Sequence, residues 1–144
     1  MKNVPAIAAA EIRKELKRRF PNVNFSVKSK LYSGGDSVSI SYIDGPLISS
    51  VIETSSKYEL GHFNSSTDSY ERHKSSDNLP KVMYIHVNRS MSPKAEGKIR
   101  AEIKKKYHVN LNNEAKTFEK FRAWPNMVVW SRFNELDLSK DTDL

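Results

Sequence analysis

The chain has 144 residues, a formal net charge of +7 and no cysteine. This length suits one domain, and the lack of cysteine excludes disulfides, thiolate zinc sites and cysteine nucleophiles. No apolar run approaches the roughly 18 residues of a membrane-spanning helix. The apolar run before Glu11 is also too short for a secretory signal. We therefore expect a soluble, cytoplasmic protein.

Charge alternates along the chain. Residues 1–32 carry eight Lys/Arg against two acids, residues 33–80 carry three against seven, and residues 81–132 carry twelve against four. A basic surface attracts nucleic acid or an acidic protein surface, because binding releases counterions and the field steers the partner. The same composition is also typical of solvated helix faces, so charge alone leaves both interpretations open.

The first third of the chain predicts a helix followed by a β-hairpin. The helix runs from Pro5 to Arg19, because apolar residues recur three or four positions apart: Ala9, Ile12, Leu16 and Phe20. Two alternating segments then flank the turn SGGD, whose glycines tolerate positive φ. The first strand is expected to be half-exposed, with Phe25, Val27, Ser29 and Leu31 on one face. In the second strand, the buried face is predicted to carry Val38, Ile40 and Tyr42.

A second helix is predicted between Asp44-Gly45-Pro46 and about Tyr58. The polar stretch from Tyr58 to Pro80 has little periodicity and is interpreted as a connecting loop. The run KVMYIHVN after Pro80 carries apolar residues on both faces, which favours a central strand.

The last third predicts mainly helix. Ser92 and Pro93 suit the N-cap and first turn of a third helix that ends near Tyr107. The segment EAKTFEKFRAW predicts a short helix, and NMVVWSRF is interpreted as a final strand. The acidic tail, residues 137–144, is expected to fray.

The resulting order is α-β-β-α-β-α-(α)-β. It predicts an α+β fold with two layers, in which helices pack on one face of a mainly antiparallel sheet. We expect a single domain over residues 1–136, followed by the tail.

The candidate surface for nucleic acid or a partner is basic. Its predicted residues lie on the first helix, the first strand and the third helix: Arg13, Lys14, Lys17, Arg18, Lys28, Lys30, Lys98, Lys104 and Lys105. Aromatic side chains that can stack on single-stranded bases are Tyr32, Tyr58, Tyr70 and Trp124. No RNP, KH or helix-turn-helix signature accompanies them.

The polar loop and the strand after it supply a second candidate site. Its predicted residues are His62, Phe63, Asp68, Tyr70, His73 and Arg89. The histidine spacing fits no common metal motif, and the chain has neither a GxSxG elbow nor a phosphate-loop pattern. Acid/base chemistry would require Asp68, His73 and Arg89 to converge. We therefore predict no catalytic residue, metal or cofactor here, and we keep a protein-binding role as the alternative.

Several local motifs resemble one known family. They are the IRKELK…FP…FSV helix and strand, the SGG turn, the DGP junction, the G-x-F…D-S-Y loop and the V-N-R-x-M-S strand end, over about residues 6–92. Together they resemble large polyvalent protein-associated domain 29, which occurs in phage, plasmid and conjugative-element proteins. The chain departs from the family where Asn64-Ser65 replaces an expected glycine-containing FDG. Residues 93–144 lie outside the resemblance.

The resemblance implies mobile-element biology in a bacterial host and no particular activity. Small anti-restriction and anti-CRISPR proteins occur in that context. We accordingly predict a protein that binds nucleic acid or a host nucleoprotein defence complex through its basic surface. The 58–80 loop is expected to be ordered, anchored on the sheet by Phe63 and Tyr70, with its acids opposing the basic helices.

Overall fold

The computed structural model describes residues 3–73 and 77–139, which form two compact units. The first unit comprises the chain up to Tyr42 together with Ile48–Arg89, and the second comprises Ile43–Leu47 together with the chain from Ser90 onward. Each unit has a hydrophobic cluster of its own. The expected single domain over residues 1–136 stays a prediction.

Helix α1 (Val4–Arg19) opens the first unit. Asn3 is its N-cap, since the side-chain oxygen accepts a hydrogen bond from the Ala6 amide at 3.2 Å. The predicted stripe is confirmed, because Ala9, Ile12 and Leu16 are all buried.

Strands β1 (Ser26–Tyr32) and β2 (Gly35–Ile43) form the predicted antiparallel hairpin. Its two-residue turn contains Gly34 at φ +88°, a conformation that glycine adopts without strain. The three predicted core residues of β2 are buried. Leu31 shares the face of Val27, as predicted, although its side chain is 67% exposed. Val27 is the one buried residue of β1, and Leu31 lies beyond it, next to the turn.

Helix α2 (Ile48–Ser55) follows, as predicted, and continues into a short 3-10 turn at Ser56–Tyr58. The stretch interpreted as a loop then contains a second antiparallel hairpin, β3 (Gly61–Asn64) and β4 (Ser69–Arg72). Four-residue strands with polar residues on both faces give too little alternation to be recognised in the sequence. Residues 74–76 of the predicted loop lie outside the described residues.

Strand β5 (Tyr84–Ser90) completes a three-stranded sheet in the order β1-β2-β5. The Asp36 carboxylate accepts a hydrogen bond from the Met83 amide at 2.8 Å, and the Asp44 amide donates to the Ser90 carbonyl at 2.7 Å. Like ends of β2 and β5 therefore meet, so the two strands run parallel. The prediction of a central strand for this segment is wrong, because β2 is central in the described sheet.

The core of the first unit lies between α1 and one face of this sheet. Buried residues from α1, β1 and β2 meet Val51 of α2, Tyr58 before β3 and Val82 before β5. The fully or nearly fully buried members are Ala8, Ala9, Ile12, Leu16, Val27, Val38, Ile40, Tyr42, Val51, Tyr58 and Val82.

The described residues of the second unit form three helices: α3 (Pro93–Tyr107), α4 (Glu114–Phe121) and α5 (Pro125–Asn134). The Ser92 hydroxyl caps α3 as predicted, accepting from the Ala95 amide at 3.0 Å. The final strand predicted for NMVVWSRF is wrong, since this segment is α5. Pro125 occupies its first turn, and Val129 and Phe133, four residues apart, are both buried.

The described chain continues beyond α5 to residue 139. There the Leu138 amide donates to the Gly45 carbonyl at 2.7 Å. The fraying expected of residues 137–144 stays a prediction. Residues 140–144 of the predicted tail lie outside the described residues. Helices and two sheets confirm the α+β class, with antiparallel pairing in both hairpins. No helix in the described ranges is long and apolar enough to cross a membrane.

Candidate nucleic-acid interface

The sheet of the first unit has one face on the core and one open face. Val27 pairs with Ile40, and both are buried. Lys28 pairs with Ser39, and Lys30 pairs with Ser37. Because side chains alternate between faces along a strand, both lysines lie on the face opposite the core. They are exposed there.

Strand β5 places two aromatic rings on the same open face. Ile85 and Val87 pack on the core, so the alternate residues Tyr84 and His86 lie on the other side of the sheet. Their rings are stacked, with centroids 6.2 Å apart and planes 13° from parallel. Tyr84 is half-buried and His86 is exposed. We call this face, with its lysines on β1, its serines on β2 and its rings on β5, the open face.

The predicted basic residues of α1 differ in their partners. Lys14 lies 3.6 Å from the Glu11 carboxylate, and Arg18 lies 3.7 Å from that of Glu15. The Arg13 guanidinium donates to the Val27 carbonyl at 2.7 Å, which ties the helix to the strand.

The other three predicted cations of this unit differ from these. The side chains of Lys17, Lys28 and Lys30 make no ion pair or hydrogen bond with any described residue, so their charges are available to a ligand. Two of these three lysines belong to the open face.

The predicted lysines of the third helix lie in the second unit. Lys98, Lys104 and Lys105 are exposed on α3, whose buried side consists of Ala95, Ile99 and Ile103. The predicted basic set is thus divided between two compact units. The first unit holds six of its nine members.

The aromatic candidates named from the sequence are also divided. Tyr32 is 40% exposed at the end of β1, whereas Tyr58 is 2% exposed and cannot stack on a base. Trp124 is exposed in the second unit, against Phe118 at a centroid distance of 4.9 Å. Sequence reasoning did not include Tyr84 and His86 in the interface. Their i, i+2 spacing in a predicted strand was the signal that could have identified them.

The second hairpin borders the open face through Tyr70. The Tyr70 hydroxyl donates to the Met83 carbonyl at 2.6 Å, and its ring meets that of Tyr84 edge-on at 5.6 Å. Burial raises the pKa of Tyr70. The predicted anchoring by Tyr70 is confirmed. Anchoring by Phe63 is wrong, since its side chain is 52% exposed on the hairpin opposite Tyr70.

The two histidines of the hairpin lie near each other. The His62 and His73 rings are 5.3 Å apart, and His62 Nε2 lies 3.6 Å from a Glu71 oxygen. His62 and Glu71 are both about half exposed. Within residues 3–73 and 77–139, no group of three His, Cys, Asp or Glu residues could hold a metal ion.

The acid/base set considered from the sequence does not come together. Asp68 lies in the hairpin turn with φ +51°. The His73 amide donates to the Leu60 carbonyl, and the Leu60 amide donates to the carbonyl of Val82, just before β5. Arg89 is buried near the other end of β5, on the side of Ile85 and Val87. Tyr84 and Arg89 lie five residues apart along β5, or roughly 17 Å.

The departure from the family motif falls in the hairpin turn. The Asn64 side chain accepts from the Ser66 amide at 3.0 Å and donates to Glu71 at 2.9 Å. An asparagine that bonds the backbone two residues on forms a turn without glycine. The turn therefore has its own side-chain support at the position where the family pattern would place FDG.

The acids of the 58–80 stretch contact their own neighbourhood. Glu59 accepts from the Ile85 amide at 3.0 Å, and Asp77 pairs with Lys81 at 2.8 Å. With Glu71 beside His62, three of these acids contact groups outside the basic helices. Their opposition to those helices stays a prediction.

A model of the family described as Large polyvalent protein associated domain 29 matches residues 5–94 of this chain. The matched region contains α1 from its second residue, the five described strands and α2, and it ends at the start of α3. Comparisons with curated proteins and with solved structures gave no significant match.

Proposed function

Since the chain belongs to the large polyvalent protein associated domain 29 family and is therefore a phage- or mobile-element-associated protein, we propose that it works by binding nucleic acid. The interface is the open face of the first unit. The nucleic acid is either free or part of a host nucleoprotein defence complex. The proposed activity is binding without catalysis.

The observation that carries this proposal is the pair Lys28 and Lys30. Both project from one face of β1 with no carboxylate partner among the described residues. An unpaired lysine can exchange its counterion for a phosphate, whereas a lysine beside a glutamate must first lose that partner. The sheet fixes the spacing of the two charges, which a flexible segment would not.

Salt dependence gives a quantitative expectation. Each phosphate contact contributes a slope of about 0.7 to 0.9 in a plot of log affinity against log salt concentration. Loss of two contacts should therefore lower the slope by between about 1.4 and 1.8. A change of this size distinguishes direct phosphate contacts from a general effect of net charge.

The test compares two double variants that remove equal charge. Lys28→Gln with Lys30→Gln removes the unpaired lysines of β1, and Lys14→Gln with Arg18→Gln removes two cations that already have glutamate partners. Affinity for labelled DNA and RNA is measured by fluorescence anisotropy at several salt concentrations. We expect the β1 variant to lose at least tenfold in affinity, and the α1 variant less than threefold. Equal losses, or no binding by the unmodified chain, would overturn the proposal.

A second candidate function rests on Phe63. This side chain is 52% exposed on a hairpin that Tyr70 holds against β5, which is an arrangement suited to contact with a protein partner. We expect Phe63→Ala to abolish recovery of a partner that survives nuclease treatment, while nucleic-acid affinity is unchanged. A partner retained equally by Phe63→Ala would reject this candidate.

A further inference from the structure

We infer that the open face binds single-stranded RNA, with one base stacked on His86 and the backbone phosphates on Lys28 and Lys30. This inference rests on the proposed function and specifies its ligand. It uses three features that share one face of the sheet: two stacked rings, two unpaired cations and a row of hydroxyl groups.

The rings favour a single strand. His86 stacks on Tyr84 with near-parallel planes, and its side chain is exposed, so the ring can continue the stack with a base. Stacking on an aromatic side chain stabilises a bound single strand whatever the base, because every base has a π-face. A base within a duplex already stacks on both sides, whereas an unpaired base has a free face to offer.

The order of the strands sets the path of the RNA backbone across the sheet. Lys28 and Lys30 are two residues apart on one face of β1, which corresponds to about 7 Å along the strand. Successive phosphates of an extended polynucleotide are separated by a comparable distance. β2 lies between β1 and β5, so the sugars would cross β2 while the bases point toward β5.

The serines of β2 favour RNA over DNA. Ser39 and Ser41 lie on the open face, opposite Lys28 and Ser26 of β1, and are half-buried and exposed respectively. A hydroxyl both donates and accepts hydrogen bonds, and so does the ribose 2′-OH that DNA lacks. Asn88, exposed two residues after His86, adds an amide on the same face.

The full chain is tested with three fluorescein-labelled ligands: a ten-nucleotide RNA of mixed sequence, the DNA of the same sequence and the RNA duplex. We expect the single-stranded RNA to bind most tightly. His86→Ala should weaken its binding by at least fivefold while the salt slope stays unchanged, because a stacking contact is lost and no phosphate contact is lost. His86→Phe keeps a ring and removes any charge on residue 86, so it should restore affinity.

Ser39→Ala with Ser41→Ala provides the sugar test, and should weaken binding of the RNA without weakening that of the DNA. Because His86 is exposed, its variants should keep the melting temperature of the unmodified chain, and this measurement checks that they fold. Unchanged affinity of His86→Ala, duplex binding as tight as single-strand binding, or equal affinity for DNA and RNA would overturn the inference. If one of these results is found but Lys28→Gln with Lys30→Gln still lowers affinity, nucleic-acid binding by the open face stands and the specificity for single-stranded RNA is rejected.

Discussion

The hydroxyl of Tyr70 donates a 2.6 Å hydrogen bond to the backbone carbonyl of Met83, immediately before strand β5. This contact joins the second hairpin to the strand that carries Tyr84 and His86. It explains how a short hairpin with few buried residues is held beside the open face. The position of Tyr84 therefore depends partly on a residue from the stretch that the sequence presented as a loop.

Tyr70→Phe should lower the free energy of unfolding by about 1 kcal/mol, since the half-buried Met83 carbonyl loses its donor while the ring remains. Urea denaturation monitored by circular dichroism measures the change. Its cross-strand neighbour Phe63 is the control, because truncation of an exposed side chain should cost less than about 0.5 kcal/mol. A larger effect for Phe63→Ala than for Tyr70→Phe would contradict this account of the hairpin.

Tyr58 should make stability fall at alkaline pH. Burial, followed by the negative charge of Glu15, raises the pKa of Tyr58 from 10.0 to about 12. The unfolded chain then loses this proton more readily than the folded chain. The stability contributed by the group is fully present below pH 10 and is lost as the pH rises from 10 to 12, by on the order of 2 kcal/mol.

The measurement for Tyr58 is the difference in unfolding free energy between the unmodified chain and Tyr58→Phe at pH 9, 10 and 11. Using the difference removes the contribution of the other tyrosines and of the lysines. The unmodified chain should lose stability relative to Tyr58→Phe over this range. A difference that is constant with pH would show that the Tyr58 proton is not linked to folding.

The glycines Gly61 and Gly97 should respond to alanine in opposite directions. A Cβ at Gly61 would lie 1.9 Å from the Glu71 carbonyl oxygen on the paired strand, and backbone cannot move aside cheaply. We expect Gly61→Ala to cost about 1–3 kcal/mol. A Cβ at Gly97, within α3, meets nothing within 4 Å, so Gly97→Ala should stabilise by about 0.5–1 kcal/mol. Thermal melts should show a lower melting temperature for Gly61→Ala and a higher one for Gly97→Ala. An unchanged melting temperature for Gly61→Ala would contradict the close approach of β3 and β4 at this glycine.

Ser92 should be sensitive to loss of its hydroxyl. That oxygen accepts from the Ala95 amide at 3.0 Å, caps α3, and donates to the Asp44 carboxylate at 2.7 Å. Ser92→Ala should cost between about 1 and 2 kcal/mol, whereas Ser92→Thr keeps the hydroxyl and should cost much less. Chemical denaturation followed by tryptophan fluorescence reports on this unit, because Trp124 and Trp130 both belong to it. Equal losses for the two variants would reject the capping role.

Local signals in the sequence were sufficient for much of the fold. The glycine turn, the alternating β2 residues and the Ser92-Pro93 start of α3 each determine structure over a few residues, and all three were confirmed. Segment 125–134 was misassigned because a short apolar run with two valines fits a buried strand as well as a helix. Its helical state depends on packing of Val129 and Phe133 in the second unit.

The candidate site was less predictable, because pairing across strands decides which side chains share a face. Lys28 and Lys30 were identified, but their combination with Tyr84 and His86 follows from the β1-β2-β5 order. The ion pairs of Lys14 and Arg18 could be predicted from the sequence, since each has a glutamate three positions earlier. Counting charges over a whole segment does not separate paired lysines and arginines from unpaired ones.

The parallel placement of β5 beside β2 has a consequence for folding. The β1-β2 hairpin closes across two residues and can form within microseconds. Strand β2 pairs with β5 only across the intervening α2 and second hairpin, which is a slower, longer-range contact. During synthesis, the β5 side of β2 stays unpaired until residues 84–90 have left the ribosome. The late pairing of β2 with β5, more than the early hairpin, should therefore set the rate at which the first unit reaches its native state.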